Sequence, residues 1–115
     1  YDNVICWLSL CYSDEGSIRS SIAQLISGMS SGGFFWLAMP TKNDLLFRLS
    51  KHERGPTRVL DQKAGPQKGA LMTIFDEPSQ IEKMFSGTRI LDVGSYGMTF
   101  ENCQHEYLVI NARKI

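Results

Sequence analysis

Four basic residues, Arg48, Lys51, Arg54 and Arg58, and three aromatic residues, Phe34, Trp36 and Phe47, have the types and spacing to hold a ligand. Guanidinium groups offer paired donors to phosphate, and lysine adds a compact charge. Rings beside them would stack a base. The chemistry this implies is retention of an anionic ligand: a nucleotide, capped or single-stranded RNA, or another phosphate compound. Charge placement agrees with it. Residues 42–68 carry seven Lys and Arg against three acids, a net +4, while the remainder carries five bases and nine acids, a net −4. The neutral total conceals this split, which bears on partners. The same residues also fit a solvated hairpin, with the basic side chains in water and the aromatics in the core.

Other motifs are weaker in what they imply. Arg54-Gly-Pro-Thr-Arg58, followed by Asp92-Val-Gly-Ser-Tyr-Gly97, resembles the two-part signature of PilZ domains, with Gly94 standing where that family has serine. The resemblance implies cyclic di-GMP clasped by Arg54, Arg58, Asp92 and Gly97. Read without it, Asp92–Gly97 is a hairpin turn with glycines at positive φ. The pairs His52-Glu53 and His105-Glu106 lack a third ligand or any spacing that would make them converge. There is no GxSxG elbow, no GxxxxGK[ST] loop and no GxGxxG turn. The Gly28–Gly33 stretch follows a helical pattern, whereas a phosphate loop precedes one.

The expectation is therefore a binding module that is not an enzyme and uses no cofactor. Its partners would be an anionic ligand such as a nucleotide or RNA, or a partner protein, and other domains of a longer chain; no membrane is involved. The alternative is a protein-interaction, regulatory or inhibitor module that docks through an edge strand or exposed hairpin.

These side chains need a frame. Asn3–Tyr12 is apolar on both faces and reads as a central strand. Ser13, Asp14 and Glu15 supply an N-cap and first-turn acids. Ile18, Ile22, Leu25, Ile26 and Met29 then form one face of an amphipathic helix. Phe34–Met39 and Leu45–Ser50 read as a β-hairpin across a short polar link. In the first of these strands Phe35 and Leu37 supply the buried side, leaving Phe34 or Trp36 to solvent. Lys51–Pro56 is a charged loop, Thr57–Asp61 a strand, Lys63–Gly69 a loop and Ala70–Phe75 a strand. Asp76 caps a second helix with Pro78 in its first turn, and Gly87 stops it. Strands at 89–93, 98–101 and 106–111 follow. The fold class is α+β: an antiparallel sheet of about six to eight strands, with two helices packed mainly on one face.

At 115 residues this is one domain, 1–115, of a size that folds without metals or disulfides. Its missing initiator methionine and strand-like end suggest a piece excised from a longer protein. No apolar run approaches the ~20 residues of a membrane span. Cys6, Cys11 and Cys103 are odd in number and without CxxC spacing, so reduced thiols and a cytoplasmic setting are expected.

Overall fold

The structure, a computed structural model, describes residues 1–115. It is a mixed α+β fold with seven strands in two sheets, and antiparallel pairing predominates. Strand β1 (Asn3–Trp7) leads through helix α1 (Glu15–Ser27) to β2 (Phe34–Pro40). The two strands run parallel, with Val4 beside Phe35 and Cys6 beside Leu37. An intervening helix permits this pairing; short links alone would have required antiparallel neighbours. The strand expected to reach Tyr12 stops at Trp7, because Leu8 takes a positive φ of 56° and turns the chain.

Helix α1 forms where its spacing predicts. Asp14 caps it by accepting the Ser17 amide at 2.7 Å, and Ile18, Ile22 and Ile26 are buried. These isoleucines join one hydrophobic cluster with Val4, Phe35, Leu37, Ile81, Phe85 and Ile110. Gly33, at the foot of β2, passes the Asp2 carbonyl so closely that a Cβ would collide with it. Only glycine permits that approach of the two chain segments.

Two sequence expectations fail between residues 40 and 60. The second hairpin strand is absent, and Leu45–Arg48 is a short helix, α2. The polar link ends in Asp44, whose carboxylate caps this helix through the Leu46 amide at 3.0 Å. The charged loop is instead strand β3 (Ser50–Arg54), which turns at Gly55 into β4 (Thr57–Leu60). After a 3₁₀ segment at Gln62–Gln67, β5 (Leu71–Thr73) completes a three-stranded sheet in the order β3-β4-β5. This sheet rests on the turn after β1. The Thr73 amide donates to the Cys11 carbonyl at 2.8 Å and its hydroxyl to the Ser13 carbonyl at 2.7 Å.

Helix α3 (Pro78–Glu82) follows, with Gln80 accepting the Glu77 amide, so the helix starts one residue past the expected cap. The rest of the chain is one long hairpin of β6 (Thr88–Phe100) and β7 (Cys103–Lys114). Gly94–Gly97, expected as a turn, lies inside β6. The reversal falls at Glu101 and Asn102, both at positive φ, as two-residue hairpin turns demand. Strand β7 inserts beside β2, giving the order β1-β2-β7-β6. The single antiparallel sheet of the sequence reading is thus two sheets, one of them mixed. No helix is long and apolar enough to cross a membrane.

Candidate functional site

In open α/β sheets, ligands bind beyond the carboxyl ends of the parallel strands. Here those ends are Trp7 and Pro40, and the segment after Pro40 carries the polar cluster. Asp44 is completely buried. Its Oδ2 accepts the Leu46 amide, and its Oδ1 accepts the Glu106 amide at 2.9 Å and lies 3.4 Å from His105 Nδ1. One carboxylate thus ties the start of α2 to β7. Burial, and then the Asp44 charge, push the Tyr107 phenol above its ordinary pKa, and the Tyr96 ring stacks on it 6.3 Å away.

Glu106 faces the same strand end. Its Oε1 accepts the Thr41 hydroxyl at 2.9 Å, and the Asn43 side-chain amide reaches Oε1 at 3.2 Å and Oε2 at 3.3 Å. The backbone repeats the link, since the Thr41 amide donates to the Glu106 carbonyl. Beside this carboxylate opens a pocket of about 180 Å³ with Met39, Phe75 and Leu108 in its walls and Asp76 and Glu106 among its polar groups. The arrangement offers a fixed acceptor next to an apolar, ring-sized space.

The expected site residues are not brought together there. Phe34 and Trp36 both lie exposed on β2 of the mixed sheet, and Arg113 stands 5.7 Å from the Phe34 ring. Phe47 and Arg48 are on α2, Lys51 and Arg54 on β3, and Arg58 on β4. Arg54 pairs with Asp14 at 3.8 Å. Arg58 lies 4.0 Å over the Phe47 ring and donates to the Ser50 carbonyl at 3.1 Å. It therefore holds β4 to β3 and α2. The two halves of the PilZ-like pattern sit in different sheets, Arg54 and Arg58 in one and Asp92–Gly97 in the other. Replacing Arg58 with alanine should destabilise the protein by about 1–2 kcal/mol, through the lost stack and hydrogen bonds. Arg54→Ala should stay within ~0.5 kcal/mol, as exposed pairs do. Equal losses in urea melts would show that the Arg58 stack holds nothing in place.

The cysteines are free. Burial pushes the Cys11 thiol from its ordinary 9.0 up to about 12 and, opposed by a Ser9 hydrogen bond, raises Cys6 as well. The folded state thus disfavours the Cys11 thiolate. Its contribution to stability is full below pH 9 and is lost as pH climbs through about 12. Iodoacetamide at pH 8 should label half-buried Cys103 and spare Cys11. Mass spectra showing Cys11 alkylated as fast as Cys103 in the native protein would contradict this placement.

Thr41, Asn43 and Asp44 were not singled out by sequence reasoning, which treated 40–44 as a hairpin link, and Glu106 was weighed only as half of the His105-Glu106 pair and set aside. The available signal was Asp44 directly before an apolar Leu-Leu-Phe run, an N-cap pattern.

No protein-family model and no curated protein matches the sequence. Among solved structures, a SAM-dependent methyltransferase of Methanosarcina mazei superposes on 100% of this chain with a TM-score of 0.76 at 13% identity. An S-adenosylmethionine dependent methyltransferase of Mesorhizobium loti matches 99% with a TM-score of 0.67 at 18% identity. The 1,6-didemethyltoxoflavin-N1-methyltransferase of Burkholderia thailandensis, whose structure holds 1,6-didemethyltoxoflavin and S-adenosylhomocysteine, matches 98% with a TM-score of 0.61 at 19% identity. This chain spans 59%, 62% and 43% of those three chains, respectively. The likeness runs against the expectation of a non-enzymatic module for nucleotides or RNA, since all three neighbours are methyltransferases.

Proposed function

We propose that these residues form the acceptor-side flank of an S-adenosylmethionine-dependent methyl-transfer domain. The observation that carries this reading is the likeness of the whole of this chain to 59% of the Methanosarcina mazei methyltransferase. It is supported by a pocket lying where open α/β sheets take their ligands.

Parallel strands are normally covered on both faces. On one face Phe35, Leu37 and Ile110 are buried in one cluster with Ile18, Ile22 and Ile26 of α1 and Ile81 of α3. On the other, Ile5, Trp7, Phe34 and Trp36 are 71%, 50%, 38% and 41% exposed. Asn111, level with Trp36 in the register, has a buried side-chain oxygen without a hydrogen-bond partner. The outer edge of β1 is also unpaired. The occupant that fits is a further α/β layer, with a parallel strand along β1, a helix across the four apolar side chains and a donor for Asn111. The share of each neighbour that this chain does not span leaves room for such a layer.

The cofactor fits these residues as one wall, not as a complete site. A nucleoside-bearing cofactor in such sheets needs a glycine turn after a parallel strand and a free acid for its ribose. The turn after β1, residues 8–14, contains no glycine, and its acid Asp14 caps α1. Asp44, after β2, is buried on two amides. Tyr12, exposed beyond the end of β1 and outside the face that the further layer would cover, is left as the surface facing the cofactor. When bound, S-adenosylmethionine supplies the methyl group. Met39, Phe75 and Leu108 keep water from the acceptor, and Glu106 orients it.

The test uses the native polypeptide that carries these residues, irradiated with methyl-labelled S-adenosylmethionine and mapped by peptide mass. Label is expected in peptides containing residues 7–12 or 40–44. A native protein that binds no S-adenosylhomocysteine, or takes label only elsewhere, would end this reading.

A further inference from the structure

The pocket beyond β2 has the volume, walls and charge of a site for one class of ligand. We propose that it takes a single-ring molecule bearing N–H donors, an aromatic amine or amidine, with Glu106 as the acceptor. The proposal names the acceptor class for the site described above and rests on that reading.

Size sets the first limit. An engineered apolar cavity of about 150 Å³ holds benzene, and this pocket, at about 180 Å³, admits one ring with a short substituent. Met39 and Phe75 are buried and Leu108 half-buried, so the ring meets apolar walls.

Charge sets the second. Glu106 is half-buried, yet it joins none of the chain's ion pairs. Its contacts are neutral: the Thr41 hydroxyl and the Asn43 amide. A partly desolvated carboxylate with only neutral donors still favours a cation or a charge-assisted donor. Its two oxygens offer about four lone-pair sites, so capacity remains for a ligand. Thr41 and Asn43 occupy three of those sites and fix the orientation of the fourth, on Oε2, which favours one directed N–H donor over a diffuse cation. Asp76 adds a second negative charge to the lining, and Lys42 is the one base there. An anionic ring would meet net repulsion.

The experiment titrates the 115-residue chain with benzamidine, benzoate and toluene, following amide resonances by NMR. Nine heavy atoms at ordinary efficiency give an expected benzamidine Kd of about 1 mM. Shifts should centre on Thr41, Phe75 and Glu106. Benzoate should bind at least about tenfold more weakly. Glu106→Gln keeps an acceptor for Thr41 and Asn43 but removes the charge, and should weaken benzamidine by about tenfold. Ser95→Trp, at an exposed position in the pocket rim, should block all three probes while leaving the remaining spectrum native. Benzoate binding as well as benzamidine, Glu106→Gln binding like the parent chain, or no probe binding at all would each overturn the proposal. Benzamidine binding needs no cofactor. If it holds while the native protein fails to bind S-adenosylhomocysteine, the methyl-transfer reading falls and the ligand class stands. If the cofactor binds and benzamidine does not, the ligand class falls alone.

Discussion

Asp44→Leu is expected to destabilise the protein by about 3–5 kcal/mol, a large part of the ~5–15 kcal/mol that holds a domain together. The side chain is completely buried, and it is the acceptor for two backbone amides, Leu46 and Glu106. Leucine matches its shape but accepts nothing, so both amides would remain buried without a partner. Removing a buried charge recovers some desolvation energy, but two orphaned donors outweigh that gain. Asp44→Asn separates the contributions. Its oxygen can still serve Glu106, while its NH₂ would face the Leu46 amide and the cap of α2 would be lost. About half of the leucine effect is expected, since a lost cap costs about 1 kcal/mol. Urea unfolding of the three proteins measures both differences. Two variants within 0.5 kcal/mol of the parent would mean that water, not Asp44, satisfies those amides.

Asp44 also shows why the site was hard to read in the sequence. Its partner amide lies 62 positions away, and no local pattern links a loop acid to a strand that arrives at the end of the chain. Local signals fared better. The isoleucine stripe and Asp14 located α1, because helix periodicity and capping are short-range. Phe35 and Leu37, expected on the buried side of their strand, are buried. The misreadings arose where a local rule competed with pairing. Gly94 and Gly97 look like a turn, but β7 pairs through both and leaves the reversal to Glu101 and Asn102. Leu45–Arg48 has the composition of a strand, yet Asp44 caps it as a helix. The basic segment was legible as charge, but not where its side chains fall in the fold. Arg58 is engaged with Phe47 and Ser50, and Phe34 and Trp36, the other two aromatics meant to stack a base, belong to another sheet.

Phe35→Ala and Trp36→Ala should differ sharply although the residues adjoin. Successive strand residues point to opposite faces, and these two faces have different fates. Phe35 is fully buried and meets the Phe85 ring edge-on at 5.1 Å. Its loss leaves a cavity between the sheet and the segment that follows α3, at a cost of about 3–5 kcal/mol. Trp36 is exposed, so the 115-residue chain should lose no more than about 1 kcal/mol when it becomes alanine. In a longer polypeptide of the kind proposed above, the order should narrow. If an α/β layer covers Ile5, Trp7, Phe34 and Trp36, then Trp36 is buried there, and alanine should cost about 3–5 kcal/mol as at any packed large side chain. Hydrogen exchange adds an independent reading, because an unpaired strand edge exchanges freely and a paired one does not. The outward amides of β1 should be protected in the native polypeptide and unprotected in the isolated chain. Trp36→Ala that is as mild in the native polypeptide as in the isolated chain, with β1 exchanging freely in both, would remove the covering layer and the cofactor half it is meant to bring.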